Sequence, residues 1–182
     1  MTQNKWNIDL AHSGVSFSIR HMVVSKVRGR FAKFSGAVLF DEDDITRSTV
    51  EATIEASSID TGVEQRDAHL RSPDFFDAEK YPELRFRSTR IDRQADDRYS
   101  VVGELTIRDV TREIALDVEF GGRARDPWGN ERVGFVGKAT LDRKDFGLRW
   151  NQALEAGGVL VGDRVDIELE IEGVRAAAQN AA

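Results

Sequence analysis

The sequence predicts an all-β protein in which eight antiparallel strands close into an up-and-down barrel. Apolar and polar residues alternate with a period of two along most of the 182-residue chain, which is typical of strands with one buried and one exposed face. Short polar segments separate most of these runs and predict hairpin turns. A closed barrel of about eight strands has an interior wide enough for packed side chains or for one small ligand.

The alternating runs define the predicted strands in chain order. The second run is irregular, because Phe31 and Phe34 are three residues apart and residues 37–40 are apolar on both faces, so we expect a bulge near Lys33. The last run alternates with charged residues throughout. The eight runs cover residues 15–19, 29–40, 50–56, 84–88, 99–107, 114–120, 133–141 and 165–171.

Two long connections interrupt the alternation. In residues 57–82, a charged, helix-forming segment at 64–72 is followed by Pro73 and the pair Phe75-Phe76. We therefore predict a short helix and a lid-like loop between the third and fourth strands. The second connection covers residues 143–163. Long loops on a rigid scaffold usually serve binding, so both are expected at the mouth of a cavity.

Two glycines occupy inward-facing positions of the predicted strands. A missing side chain at Gly103 or Gly137 either leaves space inside the barrel or relieves the curvature of its strand. The alternation alone favours neither explanation.

Composition narrows the class of protein. The 26 basic and 32 acidic residues leave a net charge of −6, which argues against binding to nucleic acid. The absence of cysteine excludes disulfides, thiolate catalysis and cysteine-ligated zinc. No segment approaches the 18 or so apolar residues of a membrane span, and the first residues lack the pattern of a secretory signal. We expect a cytoplasmic protein with one domain over residues 1–174 and a disordered tail over 175–182.

From the motifs of this sequence we predict no metal and no cofactor, whereas a catalytic group assembled from residues distant in sequence stays open. The spacing of His12, His21 and His69 fits no common metal motif, and hydrolase elbows, phosphate loops and dinucleotide fingerprints are absent. Two groups of residues are candidates for ligand binding. Arg20 and His21 end an alternating strand, where they could meet an anionic or carbonyl head group. Arg66 and His69 share one side of the predicted helix, which either guards a cavity or packs on the barrel as a surface helix.

Several sequence motifs resemble the YceI-like, polyisoprenoid-binding, lipocalin-like family. The central block is the most specific, since no rule of folding demands it. The matching motifs are Trp6-x-Ile8-Asp9-x-x-His12-Ser13-x-Val15-x-Phe17, His21-Met22, Val27-x-Gly29-x-Phe31-x-x-Phe34-x-Gly36, Ser58-Ile59-x-Thr61, Arg66-Asp67-x-His69-Leu70-x-Ser72-x-Asp74-Phe75-Phe76, Tyr81-Pro82, Phe86-x-Ser88-Thr89, Gly103-x-Leu105-Thr106-Ile107, Val110-Thr111 and Arg143-x-Asp145-Phe146-Gly147.

The resemblance implies an extended, lipocalin-like barrel that holds a long isoprenoid or other lipid chain without catalysis, commonly as a homodimer. Apolar residues on both faces of residues 37–40 also favour a dimer. Burial of a lipid chain is energetically reasonable, because each methylene contributes about 0.8 kcal/mol. We predict polyprenyl or isoprenoid quinone ligands.

The candidate ligand-binding residues fall into three groups. The predicted lining of the cavity consists of Phe17, Ile19, Phe31, Phe34, Ile54, Phe86, Leu105, Phe135 and Ile167. The residues predicted at the mouth are Phe75, Phe76 and Trp150. The residues predicted to contact the head group are Arg20, His21, Arg66 and His69. Two alternatives stay open. One is an isoprenoid-modifying or hydrolytic enzyme that uses Arg66, Asp67 and His69, and the other is a barrel with a filled interior.

Overall fold

The computed structural model describes residues 3–177, which form one antiparallel sheet of eleven strands. The strands are β1 Gln3–Ile8, β2 Gly14–His21, β3 Ser25–Phe31, β4 Phe34–Asp41, β5 Thr49–Glu55, β6 Ile59–Asp60, β7 Glu83–Ala95, β8 Arg98–Ile107, β9 Val110–Arg125, β10 Glu131–Asp142 and β11 Val161–Arg175. One α-helix, α1, spans Glu64–Arg71 within this part of the chain. Four short 3-10 helices cover Leu10–His12, Ile45–Arg47, Ala56–Ser58 and Arg143–Phe146.

The sheet closes because β1 pairs with both β4 and β11. Strands β1 and β2 follow one another along β11, where Ile8 pairs with Gly173 and Val15 pairs with Leu169. Strands β3 and β4 follow one another in the same way along β2 and β1. Strands β1 and β2 therefore count together as one strand of the barrel, and so do β3 and β4. The two-residue β6 pairs with the end of β3 and adds no further barrel strand. The predicted eight-stranded antiparallel barrel is therefore confirmed.

The predicted irregularity near Lys33 is a break between two strands. Strand β3 ends at Phe31 and β4 begins at Phe34, so both phenylalanines point into the barrel although they are three residues apart. The Lys33 carbonyl accepts hydrogen bonds from the Glu55 backbone N–H at 3.0 Å and from Ser58 Oγ at 3.2 Å. The neighbouring loop thus satisfies the backbone where the ladder stops.

An aromatic cluster fills the barrel interior at the end where β1 pairs with β4. Phe40 packs against Trp6, Phe120 and Phe135 with ring centroids 6.0–6.2 Å apart. Trp6 and Phe40 are almost completely buried, so this end of the barrel is closed.

Arg132 joins three acidic side chains outside the closed end. Its guanidinium donates to Asp9 at 2.7 Å, to Asp126 at 2.8 Å and to Glu172. The hydrogen bond from Arg132 lowers the pKa of Asp9 from 3.8 to about 2. These ion pairs tie the chain before β2 to β10, β11 and the β9–β10 turn.

Helix α1 is held against β6 by a buried carboxylate. Asp67 accepts hydrogen bonds from the backbone N–H of Thr61, at 2.9 Å, and from its hydroxyl. Arg66 Nε donates to the same hydroxyl oxygen at 2.7 Å. The helix ends at Arg71, close to the predicted boundary, and Pro73 follows two residues later.

The chain end differs from the predicted disordered tail at Arg175 and at Ala176, whose backbone N–H donates to the Lys5 carbonyl at 2.8 Å. Arg175 lies in β11, where it pairs with Trp6 and its guanidinium contacts Glu131 and Glu42. This ion pairing continues the strand one residue past the predicted boundary. The end of the predicted tail, residues 178–182, lies outside the described residues. Within residues 3–177, no helix is long and apolar enough to cross a bilayer.

Candidate functional site

The barrel encloses an elongated apolar cavity of about 880 Å³. This volume is near the upper end of the range of about 300–1,000 Å³ for small-molecule sites. Along β11 the lining runs from Val161 through Val165, Ile167 and Leu169 to Ile171. At about 3.3 Å per residue, these ten residue steps correspond to roughly 30 Å of strand. The cavity is therefore long and narrow.

The structure places all sixteen predicted ligand-binding residues around this cavity. The alternation of the strands explains the inward lining, since every second side chain of a barrel strand points to the interior. The segment after α1 contributes Phe75 and Phe76, and the loop before β11 contributes Trp150. That these residues bind a ligand stays a prediction.

Part of the cavity lining was not predicted from the sequence. The alternation of apolar and polar residues could have identified four of these residues, because they lie in predicted strands: Val101, Leu116, Val118 and Leu169. Ile8 lies in the short strand β1, which showed no long alternating run, and Arg143 and Leu148 lie in an irregular connection. The lining residues outside the prediction include Ile8, Val38, Phe40, Ile91, Tyr99, Val101, Leu116, Val118, Arg143, Leu148 and Leu169.

The two inward glycines have different surroundings. A Cβ atom added at Gly103 would lie 2.5 Å from the Arg87 carbonyl oxygen and 2.6 Å from Phe86 Cζ. Phe86 therefore fills the space beside Gly103, and this glycine permits a close approach rather than leaving a void. At Gly137 the nearest atom, Leu169 Cδ1, would be 3.4 Å away, and Gly137 lines the cavity.

The cavity opens beside α1 and the β2–β3 hairpin. Arg20, Val63 and Gln65 line it and are also exposed to solvent, whereas the aromatic cluster around Trp6 closes the other end. Polar and charged lining residues gather at this mouth, where Arg20, His21 and Gln65 supply hydrogen-bonding groups.

Three rings form an aromatic cluster at the mouth. His69 packs edge-on against Trp150 and Phe75, with ring centroids 4.6 Å and 5.1 Å apart. Its Nε2 atom lies 2.8 Å from the Asp74 carboxylate. The loop after α1 and the loop before β11 thus meet at His69, which supports both predicted long connections as parts of the mouth.

A buried arginine organises the loop before β11. Arg143 Nε donates to the Gly162 carbonyl at 2.8 Å, and Nη1 donates to the carbonyls of Leu148 and Trp150 at 2.7 Å and 2.9 Å. Burial lowers the pKa of the Arg143 guanidinium. From the sequence, Arg143 was identified only as part of a family motif. Its guanidinium also lies 3.7 Å from the Asp163 carboxylate. The alternation could not indicate its role, because its hydrogen bonds go to backbone carbonyls of the loop and of the start of β11.

The candidate catalytic residues Arg66, Asp67 and His69 fall into two groups by their hydrogen-bond partners. Arg66 and Asp67 are both engaged with Thr61, whereas His69 contacts Asp74. Asp67 is buried at the junction of β6 and α1. A catalytic histidine is oriented by a carboxylate bonded to its ring, and at His69 that carboxylate is Asp74 and not Asp67.

One group of side chains has the composition of a metal site. Ligand atoms of Asp9, His12 and Glu172 lie within 4.8 Å of one another. However, the guanidinium of Arg132 donates to both Asp9 and Glu172. A positive charge therefore already neutralises these carboxylates, and the group acts as a structural ion-pair cluster.

Closure, strand order and the elongated interior define a lipocalin-like antiparallel barrel with a long internal cavity. Residues 6–173 match the model of the YceI-like domain. The chain belongs to the YceI-like family, as its motifs indicated.

Curated relatives and solved structures support this assignment. A UPF0312 protein of Staphylococcus epidermidis is 41% identical over 169 residues, covering 92% of this chain and 96% of that protein. A UPF0312 protein of Vibrio parahaemolyticus is 40% identical over 167 residues, covering 91% and 83%. The crystal structure of Burkholderia cenocepacia BcnA superposes with a TM-score of 0.80 at 27% identity, covering 91% of this chain and 98% of BcnA.

A more distant structure shares the fold. A polyisoprenoid binding domain from Saccharophagus degradans superposes with a TM-score of 0.72, covering 96% of this chain and all of that domain. The identity is 13%.

Proposed function

We propose that this protein binds a long-chain isoprenoid lipid, a polyprenyl compound or an isoprenoid quinone, in the barrel cavity and sequesters or transports it without chemical change. The observation that carries the proposal is the shape and lining of the cavity, which is apolar along roughly 30 Å of β11 and opens at one end. A compact ligand would leave most of this length unfilled.

The energetics support a ligand with a long chain. Burial of about twenty chain carbons contributes roughly 16 kcal/mol before the costs of ordering, at about 0.8 kcal/mol per methylene. One charge-assisted hydrogen bond to the head group adds about 1.5–3 kcal/mol. The chain should therefore determine the affinity, and the head group should determine the orientation.

The isoprenoid class is favoured over other lipids by family membership. The Saccharophagus degradans domain of the same fold is a polyisoprenoid binding domain, and this chain carries the family's motifs along its length.

The head group is placed at the mouth in this proposal. Arg20 and His21 lie at the end of β2, and His69 lies between the rings of Phe75 and Trp150. Arg66 is held by two hydrogen bonds to Thr61, so it contributes positive charge near the head group while it anchors the helix. A diphosphate or quinone head group would find donors here.

A binding role is favoured over the enzymatic alternative because Asp67, the carboxylate of that alternative, is buried against Thr61 and is not bonded to His69. The filled-barrel alternative predicts that an added isoprenoid will not shift the melting temperature.

A cytoplasmic location and a homodimer remain part of the proposal. The exposed outer side chain of Leu39 is the residue of 37–40 that can reach a second copy, and light scattering of a Leu39→Lys variant tests it.

The test compares two neighbouring positions on β8. Leu105 points into the cavity and Glu104 is exposed. In Leu105→Arg a charged side chain enters the lumen, so we expect the loss of the rise in melting temperature that an added isoprenoid quinone gives to the wild type. Glu104→Arg should keep that rise. An equal rise in both variants would contradict the proposed binding site, and no rise in the wild type would contradict the proposed ligand.

A further inference from the structure

Exposed apolar side chains are concentrated beside the cavity mouth. The turn between β2 and β3, residues 22–24, exposes Met22, Val23 and Val24 by 45%, 65% and 85%. Val63 and Val159, on the adjacent helix and loop segments, are also exposed. We name residues 22–24 the apolar tip.

The apolar tip has a defined and strained conformation. Met22 and Val23 have positive φ angles of 52° and 65°, and a β-branched residue such as valine rarely adopts this region. The Met22 backbone N–H donates to the Leu160 carbonyl at 2.9 Å. A Cβ atom added at Gly158 would lie 3.7 Å from Val23 Cγ2, so the loop before β11 runs close to Val23. The neighbouring loop therefore fixes the tip with its side chains outward, and strain of this kind is common at functional sites.

The β2–β3 hairpin that carries the apolar tip is basic. Residues 10–40 contain five basic residues and no acidic residue, although the whole chain has a net charge of −6. The basic residues are Arg20, Lys26, Arg28, Arg30 and Lys33. Arg20 and Lys26 face each other across the β2–β3 hairpin, next to the tip.

Acidic neighbours neutralise only part of this charge. Three of the five basic residues have an acidic neighbour: Lys26 lies 3.9 Å from Asp166, Arg30 lies 3.3 Å from Asp60 and Lys33 lies 3.8 Å from Glu55. Among residues 3–177, the side chains of Arg20 and Arg28 have no ion-pair partner within 4.0 Å.

We propose that the apolar tip and the basic β2–β3 hairpin dock the barrel onto the surface of an anionic phospholipid bilayer. The valine and methionine side chains enter the boundary between head groups and acyl chains, as apolar residues of peripheral proteins do. The arginines and lysines contact the lipid phosphates, and each basic residue near the surface contributes about fivefold to partitioning. Docking in this orientation places the cavity mouth at the membrane.

A second copy of this chain is a poorer partner for the same surface. A two-fold symmetric contact brings the same patch of both molecules together. The unpaired charges of Arg20 and Arg28 would then face their own copies, which is unfavourable. An anionic bilayer complements both the charge and the apolar tip.

The test is cosedimentation with vesicles of phosphatidylcholine, with and without phosphatidylglycerol. We expect wild-type protein to bind the mixed vesicles more tightly and to lose affinity as salt is raised. Val24→Asp should weaken binding about tenfold or more, because one buried valine is worth at least about that factor. Arg28→Ser should weaken it about fivefold, only on the anionic vesicles.

Trp128 provides a matched control. It is 81% exposed and lies in the β9–β10 turn, at the closed end of the barrel, so Trp128→Asp should bind vesicles like the wild type. Equal binding of wild type and Val24→Asp, or equal binding to both vesicle types, would overturn the proposal. Self-association that Val24→Asp abolishes, without vesicle binding, would assign the tip to a second copy and also overturn it. Docking without isoprenoid uptake would refute the proposed ligand and leave the docking surface intact.

Discussion

The guanidinium of Arg143 donates a hydrogen bond to the carbonyl oxygen of Trp150, 2.9 Å away, from a position that is only 4% exposed. The same arginine holds Leu148 and Gly162 through their carbonyls. A buried cation at the start of the loop thus fixes an aromatic residue at the mouth. Arg143 stabilises the folded protein, because a buried carbonyl group without a hydrogen-bond donor raises the free energy of the folded state.

Removal of this arginine should destabilise the protein strongly. Arg143→Ala leaves three carbonyl groups without their donor, and we expect a loss of about 3–5 kcal/mol in the free energy of unfolding. Urea denaturation measures it. The neighbouring Lys144 forms an exposed ion pair with Asp163, so Lys144→Ala should cost less than about 1 kcal/mol. Equal midpoints for the two variants would show that Arg143 does not organise the loop.

The ion pairs around Arg132 should make stability depend on acidic pH. Because the folded-state pKa of Asp9 is lowered from 3.8 to about 2, its contribution is present above about pH 4 and is lost as the pH falls toward 2. Hydrogen bonds from Asn130, the largest cause, and from Arg132 also lower the pKa of Asp126.

The variant Arg132→Met removes the guanidinium. We expect its urea midpoint to fall less steeply than that of the wild type between pH 4 and pH 2, and to be lower at pH 7. Arg164→Met, which removes an exposed pair with Asp166, is the control and should follow the wild-type pH profile more closely. Parallel profiles for Arg132→Met and the wild type would contradict the role of Arg132.

The two inward glycines should respond differently to added side chains. Gly103→Ala places a methyl group against the Arg87 backbone oxygen, which cannot move without distorting the sheet, so we expect a loss of about 1–3 kcal/mol. Gly137→Ala meets only ordinary contacts and should be nearly neutral. Thermal denaturation distinguishes them, and a stable Gly103→Ala variant would show that the sheet relaxes there.

A larger side chain at Gly137 should reduce the volume of the cavity. Gly137→Leu adds a side chain inside the lumen, so the variant should fold and bind less lipid. Lys138→Leu, at the adjacent exposed position, adds comparable apolar surface outside and should bind normally. Undiminished binding by Gly137→Leu would place the ligand away from this part of the cavity.

Alternation along the chain was sufficient to predict the barrel, because period two is a property of each strand alone. It also identified Phe17, Phe86 and Ile167 as inward residues. The closure through β1 was not predictable in this way. Strand β1 is six residues long, and it becomes a strand by pairing with β4 and β11, which are distant in sequence.

The mouth depends on interactions that have no sequence period. Arg143 acts through backbone carbonyls, and His69 contacts Asp74 rather than Asp67. The sequence places His69 near Asp67 and Asp74 alike, and only the path of the loop after α1 selects the partner. The space beside Gly103 is filled by Phe86 of the neighbouring strand, and the pattern of one strand alone could not distinguish this contact from a void.

Lipid binding in the barrel cavity is tested by mass spectrometry of protein purified without detergent, before and after solvent extraction. We predict that an isoprenoid lipid leaves with the solvent in an amount equal to that of the protein, and that Leu105→Arg carries none. A fatty acid or amide in its place would retain the cavity but refute the isoprenoid. An empty protein that also takes up no added quinone or prenyl lipid would contradict lipid binding altogether.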